Sequence, residues 1–121
     1  MCKSLARARA KAACRQGFRC YYCGVPMWST HLAAFAATYG VTQRQALQLK
    51  CTAEHLTPRS VGGSASQSNI VAACAYCNHK RHARLHAPNP AAYKLLVQQR
   101  IRRSRWLLAS LPSTLRTRAL A

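Results

Sequence analysis

Two Cys-x-x-Cys pairs, Cys20/Cys23 and Cys74/Cys77, constrain this chain more than any other feature. A two-residue spacer lets both sulfurs of a pair reach one ion, and two pairs complete a tetrahedral four-cysteine zinc site. The pairs lie about 50 residues apart, so the intervening chain must fold as an insertion that brings its two ends back together. The alternative is four buried structural thiols. A chain of 121 residues is expected to form one domain, 1–121, and at this length it gains from a metal staple. Cys2, Cys14 and Cys51 are left over and read as buried or free thiols, not ligands.

Charge narrows the partners. Nineteen Lys and Arg face a single acidic residue, giving a formal net charge of +18; four zinc-bound thiolates and their ion would change this little. Such a chain seeks polyanions, nucleic acid first. An anionic membrane surface and a ribosomal-type structural role are the alternatives. No run of 18 apolar residues exists, so no transmembrane helix is expected. The opening MCKSLARARAKAACRQG is broken by charge every few residues and lacks a signal-peptide core. The expectation is a soluble cytoplasmic protein, where paired cysteines read as metal ligands and not disulfides.

The pattern along the chain predicts an α+β fold. Residues 1–17 read as a basic helix stopped by Gly17. Ser29 or Thr30 is expected to cap a helix running to Tyr39, with Gly40 as its stop, and Thr42 to cap a second, Gln43 to Lys50. Together these fill an insertion, 25–50, within a core spanning 18–86. Residues 51–57 and 69–73 read as strands of one hairpin, joined by a loop containing Pro58, Gly62 and Gly63. A helix is expected from Tyr76 to His86, ended by Pro88 and Pro90. The last helix, Ala91 to Leu111 (90–111 with its first turn), sets Tyr93, Leu96, Val97, Ile101 and Leu108 at helical spacing. Arg100, Arg102, Arg103 and Arg105 fall on its other face. Residues 112–121, with Arg116 and Arg118, read as a mobile tail.

The lone carboxylate, Glu54, directly precedes His55 between the two cysteine pairs. Phosphodiester hydrolysis needs a base for water, a Lewis acid for the developing charge, and a group to hold the base. His55 titrates near neutrality and suits the base role. Neighbours on a strand start on opposite faces, so a twist or bulge is expected to bring Glu54 and His55 to one site. Asn78 can offer a carbonyl oxygen to Mg²⁺. His82, four residues on, shares its helix face and is a possible further ligand; His79, about 100° away around the helix, is a weaker one. Singly, each of these residues has an ordinary structural explanation. Tyr21, Tyr22 and Tyr76 read as packing and not base-stacking.

Cys20-x-x-Cys23, then Glu54-His55-Leu56-Thr57-Pro58-Arg59-Ser60-Val61-Gly62-Gly63, then Asn69-Ile70-Val71-Ala72-Ala73-Cys74-x-x-Cys77-Asn78 resemble the HNH endonuclease family. The resemblance covers motif-bearing parts of about 18–84, without the insertion or the last helix. It implies a zinc-stapled ββα-metal finger, here flanked by additional helices, that hydrolyses DNA to 5′-phosphate and 3′-hydroxyl ends. It implies that Glu54 and Asn78 hold a catalytic Mg²⁺ or Mn²⁺, that His55 is the general base, and that Asn69 ties the loop and orients the histidine backbone. Glu54 stands where Asp is commoner and Asn78 where His is common. Arg81 and Arg84 are expected to clamp the scissile phosphate, and Arg100 and Arg103 to contact DNA phosphates; solvated surface charge is the alternative for all four. Glu54 is expected beside the scissile phosphate, its removal abolishing cleavage while sparing stability. Two rivals remain: a non-catalytic zinc-finger nucleic-acid binder, and a basic ribonucleoprotein component.

Overall fold

The computed structural model describes residues 2–113 and 115. In chain order the elements are α1 (Cys2–Arg15), α2 (Leu32–Tyr39), α3 (Gln43–Leu47), β1 (Cys51–His55), β2 (Ile70–Cys74), α4 (Ala75–His82) and α5 (Pro90–Arg102), with 3-10 turns at Arg59–Val61 and Leu107–Ser110. β1 and β2 form an antiparallel hairpin in unbroken register, from Cys51 opposite Cys74 to His55 opposite Ile70. No bulge interrupts it, which removes one of the two devices, twist or bulge, expected there; β1 ends at His55, two residues earlier than its sequence pattern suggests.

Both α1 and α4 pack on this hairpin. α1 buries Ala8, Ala12 and Ala13, small residues that let its backbone approach the sheet. Gln16 completes the join: its amide accepts from Ala72 N at 2.9 Å and donates to Ala72 O at 2.8 Å. A side chain thus supplies hydrogen bonds that a third strand would otherwise give. α4 follows β2 without a loop, capped by Cys74, whose Sγ accepts from Cys77 N at 3.4 Å.

The insertion folds as α2 and α3. Thr42 caps α3 as expected, and does so through a reciprocal box with Gln45. The start of α2 differs from expectation: its N-cap is His31, without a side-chain bond. Trp28 is tied to the far end of the insertion by Trp28 N to Leu49 O at 3.4 Å and Cys51 N to Trp28 O at 2.8 Å. The chain must first turn at Ser29 and Thr30 before a helix can begin, so neither residue serves as cap. Lys50 O and Gln48 O then accept from Ala75 N and Tyr76 N, so the insertion returns directly onto the second cysteine pair.

α5 is shorter than its pattern predicts. It stops at Arg102, and Ser104 takes a left-handed conformation with φ 54°. The break returns the chain toward the core, where Trp106 is buried and donates its indole N–H to Cys77 Sγ at 3.4 Å. No Gly or Pro marks this stop; packing of Trp106 imposes it. The expected mobility of 112–121 falls largely outside the described residues. Among those described, no helix is long and apolar enough to cross a membrane.

Candidate active site

Cys20, Cys23, Cys74 and Cys77 converge as expected: all four are buried and their sulfurs lie within 4.8 Å of one another. Each knuckle aims backbone N–H groups at sulfur. Cys20 Sγ accepts from Tyr22 N at 3.4 Å and Cys74 N at 3.3 Å, an arrangement that stabilises thiolate. Burial pushes the Cys77 thiol well above its ordinary value, so only a bound cation makes four thiolates tenable in this interior. The donor set and its spacing fit zinc. Cys51 is buried and Cys14 exposed; both are free. The side chain of Cys2 lies outside the described ones.

A pocket opens at the end of β1, lined by Ala53, Glu54, His55, Pro58, Arg59, Ser60, Asn78 and His82. It unites Glu54, His55, Asn78 and His82, with both strand neighbours reaching it where the strand ends. Asn78 donates its amide to Thr52 Oγ1 at 3.0 Å and Ala53 O at 3.2 Å. These bonds hold the side chain against β1 and leave its carbonyl oxygen as the remaining acceptor. His79 lines a different cavity, beside Leu47 and Tyr76.

Glu54 is only 1% exposed. Its Oε2 accepts from Tyr22 Oη at 2.9 Å and from Arg81 Nη1 at 3.0 Å, while Oε1 sits 2.8 Å from His82 Nε2. Tyr22 and Arg81 therefore fix the carboxylate so that one oxygen faces His82, a side chain 34% exposed. Tyr22 keeps its proton because burial, then the charge of Glu54, raises its pKa. This oxygen and nitrogen are hydrogen-bonded to each other, and both are ligand types for a divalent cation. With the Asn78 oxygen they make a hard, mixed O/N donor set that fits a divalent cation.

Arg81 corrects one expectation. It is 1% exposed, and its guanidinium donates to Glu54 Oε2, His55 O, Leu56 O and Pro88 O at 3.0–3.1 Å. A side chain so enclosed, with four of its five N–H groups engaged, is not presented to an incoming phosphate; it pins the end of β1 to the segment after α4. Nor can Glu54 be removed at no cost to stability. Breaking a buried ion pair from one side costs about 3–5 kcal/mol, so Glu54→Ala and Arg81→Met should each lower unfolding free energy by about that much. Urea unfolding of zinc-loaded protein checks this; a loss below about 1 kcal/mol for both would mean the pair is not formed in solution.

His55 is partly exposed and its Nε2 accepts from Arg59 Nε at 3.3 Å. Burial, then the positive charge of Arg59, lowers its pKa from the ordinary value; Glu54 opposes and His82 adds to the lowering. The ring is thus biased toward the neutral form that can act as a base. The Asn69 side chain bonds to the loop and not to the His55 ring. Its Oδ1 accepts from Thr57 N at 2.8 Å and its Nδ2 donates to Thr57 O and Ser64 O, closing the loop just beyond the histidine. Gly63 is required here, because a Cβ would lie 1.6 Å from Thr57 O. Arg84 and Arg103 are exposed. Arg100 is half-buried with its guanidinium 5.6 Å from the Trp106 ring, so it is engaged in packing as well as charge. Tyr22 and Arg81 are the site residues whose roles the sequence did not reveal.

Residues 42–84 match the family model described as HNH endonuclease. The span contains α3, the hairpin and α4 with the second cysteine pair; Cys20 and Cys23 lie outside it. No curated protein and no solved structure matches the chain. The matched segment and the four-cysteine cluster fit a small α+β fold of the ββα-metal kind, and the cluster is compatible with a zinc site.

Proposed function

We propose that the protein is a metal-dependent endonuclease that hydrolyses DNA phosphodiester bonds. One observation carries this reading: the only carboxylate of a chain of net charge +18 is held in the same pocket as a histidine biased toward neutrality and two further ligand-type side chains. Glu54 Oε1, the Asn78 carbonyl oxygen and His82 Nε2 are the groups that would hold Mg²⁺ or Mn²⁺, and the ion would supply Lewis-acid stabilisation of charge on the phosphate. His55 Nε2 takes the proton of the attacking water. The 3.3 Å bond from Arg59 is long and its donor exposed, so an incoming phosphate draws Arg59 away and frees the nitrogen. Asn69 keeps the loop after His55 closed, and Arg81, through the His55 carbonyl, keeps the strand end in place. The surrounding positive charge steers DNA to the pocket, with Arg84 and Arg103 exposed to meet phosphates. By resemblance, the products carry 5′-phosphate and 3′-hydroxyl ends.

Nicking of supercoiled plasmid by zinc-loaded protein tests this, with Mg²⁺ or Mn²⁺ supplied or withheld. The ion should be omitted, not chelated, since a strong chelator also attacks the four-cysteine site. Cleavage only with the added ion is expected; binding without cleavage under both conditions would favour a non-catalytic binder. The pH dependence has a definite sign. Protonation inactivates a base, so activity should rise through an apparent pKa below the ordinary 6.5 of histidine and level off above it. Arg59→Ala removes a cause of the lowering and should move that limb to higher pH; an unchanged profile in the variant would remove His55 as the titrating group.

A further inference from the structure

Beside the His55 pocket lies a second cavity of about 280 Å³, sharing Pro58, Ser60 and His82 with it. Its remaining walls are Val61 from the 3-10 turn and Arg84, Leu85, His86 and Ala87 from the segment after α4. Leu85 is 93% exposed and Val61 68%, the two most exposed large hydrophobic side chains among the described residues. One exposed leucine needs no explanation. Two on the rim of one cavity, beside a cationic arginine and next to the pocket of the reaction, do.

The cavity is built on a fixed base. Arg81 donates to Pro88 O, next after the lining residue Ala87, and to His55 O and Leu56 O, shortly before the lining residue Pro58. One buried guanidinium thereby ties together the two stretches of chain that lead into the cavity's walls. No carboxylate lines the cavity, the only one in the chain being buried in the neighbouring pocket. The volume is at the lower end of ligand pockets, which run from about 300 Å³ upward: room for one nucleotide and not for a folded strand. A nucleotide offers an anion at one end and an apolar face at the other, and the walls offer the complement of both.

We infer that this cavity receives the nucleotide adjacent to the scissile phosphate of a DNA strand, with Arg84 on its phosphate and Leu85 and Val61 against its sugar and base. Leu85 acts as an apolar wedge at the base step, a role exposed aliphatic side chains play in duplex binders that unstack DNA. The inference rests on the nuclease reading for the position of the scissile phosphate. Its test is independent of cleavage: affinity of the zinc-loaded full chain for a short duplex containing 2-aminopurine, without divalent ion, at several salt concentrations. Leu85 is exposed, so Leu85→Ala spares the fold. It should weaken binding about tenfold, the order expected for losing most of a buried leucine side chain, leave the salt slope unchanged, and abolish the fluorescence rise that reports unstacking. Arg84→Ala should instead reduce the salt slope by about one. Leu85→Ala binding within twofold of wild type, or an Arg84→Ala slope equal to wild type, overturns the inference. Loss of nicking alone, with these binding effects intact, would overturn the nuclease reading and leave this site standing.

Discussion

Stripping zinc from Cys20, Cys23, Cys74 and Cys77 should unfold the chain. The cluster joins the N-terminal knuckle, the end of β2 and the start of α4, and Trp106 donates to one of its sulfurs. Without the ion, four buried thiols compete for protons and the knuckle N–H groups lose their charged acceptors. Structural zinc contributes about 10–16 kcal/mol in finger peptides, comparable to or larger than the whole stability of a small domain, about 5–15 kcal/mol. Metal analysis should give one zinc per chain, and Cys77→Ser should fail to fold or aggregate. Indole fluorescence gives a readout, since Trp106, one of two tryptophans, is buried with its N–H on Cys77 Sγ. A zinc-free protein with native fluorescence and a cooperative unfolding transition would contradict the assignment.

The parts of this molecule legible in its sequence are those governed by local chemistry. The cysteine spacing foretold the cluster, Thr42 the cap of α3, Gly40 the left-handed stop of α2, and Pro58 with Gly62-Gly63 the loop of the hairpin. The sequence reading brings Glu54 and His55 together by a twist or bulge of the strand; in the structure Glu54, His55 and Asn78 line one pocket where the strand ends, with no bulge.

What the sequence concealed depends on long-range partners. Arg81 looks like any helix arginine, yet it is buried because the only carboxylate in the chain and three backbone carbonyls meet it from distant segments. Tyr22 reads as packing, and does pack edge-on against Tyr93, but its hydroxyl also fixes Glu54. Gln16 has no sequence signature for bridging α1 to an edge of β2. The early stop of α5 is set by the pull of Trp106 into the zinc frame, a tertiary demand that overrides an otherwise continuous helical pattern.

His55→Ala should lower cleavage by about 10²–10⁴, the usual cost of losing a general base, while leaving the fold intact. The structure separates this residue from its neighbour. Glu54 is buried in an ion pair and its loss perturbs stability and activity together; His55 is partly exposed at a strand end, and among the described residues its ring is hydrogen-bonded only to the exposed side chain of Arg59. Its backbone carbonyl, which Arg81 holds, survives the substitution. The variant therefore isolates chemistry from folding in a way that Glu54→Ala cannot. The most direct measurement is single-turnover plasmid nicking by wild type and His55→Ala, both zinc-loaded, with saturating Mg²⁺ and with urea midpoints determined on the same preparations. Equal midpoints with a rate reduced at least about a hundredfold are the predicted result; equal midpoints with equal nicking rates would contradict the account.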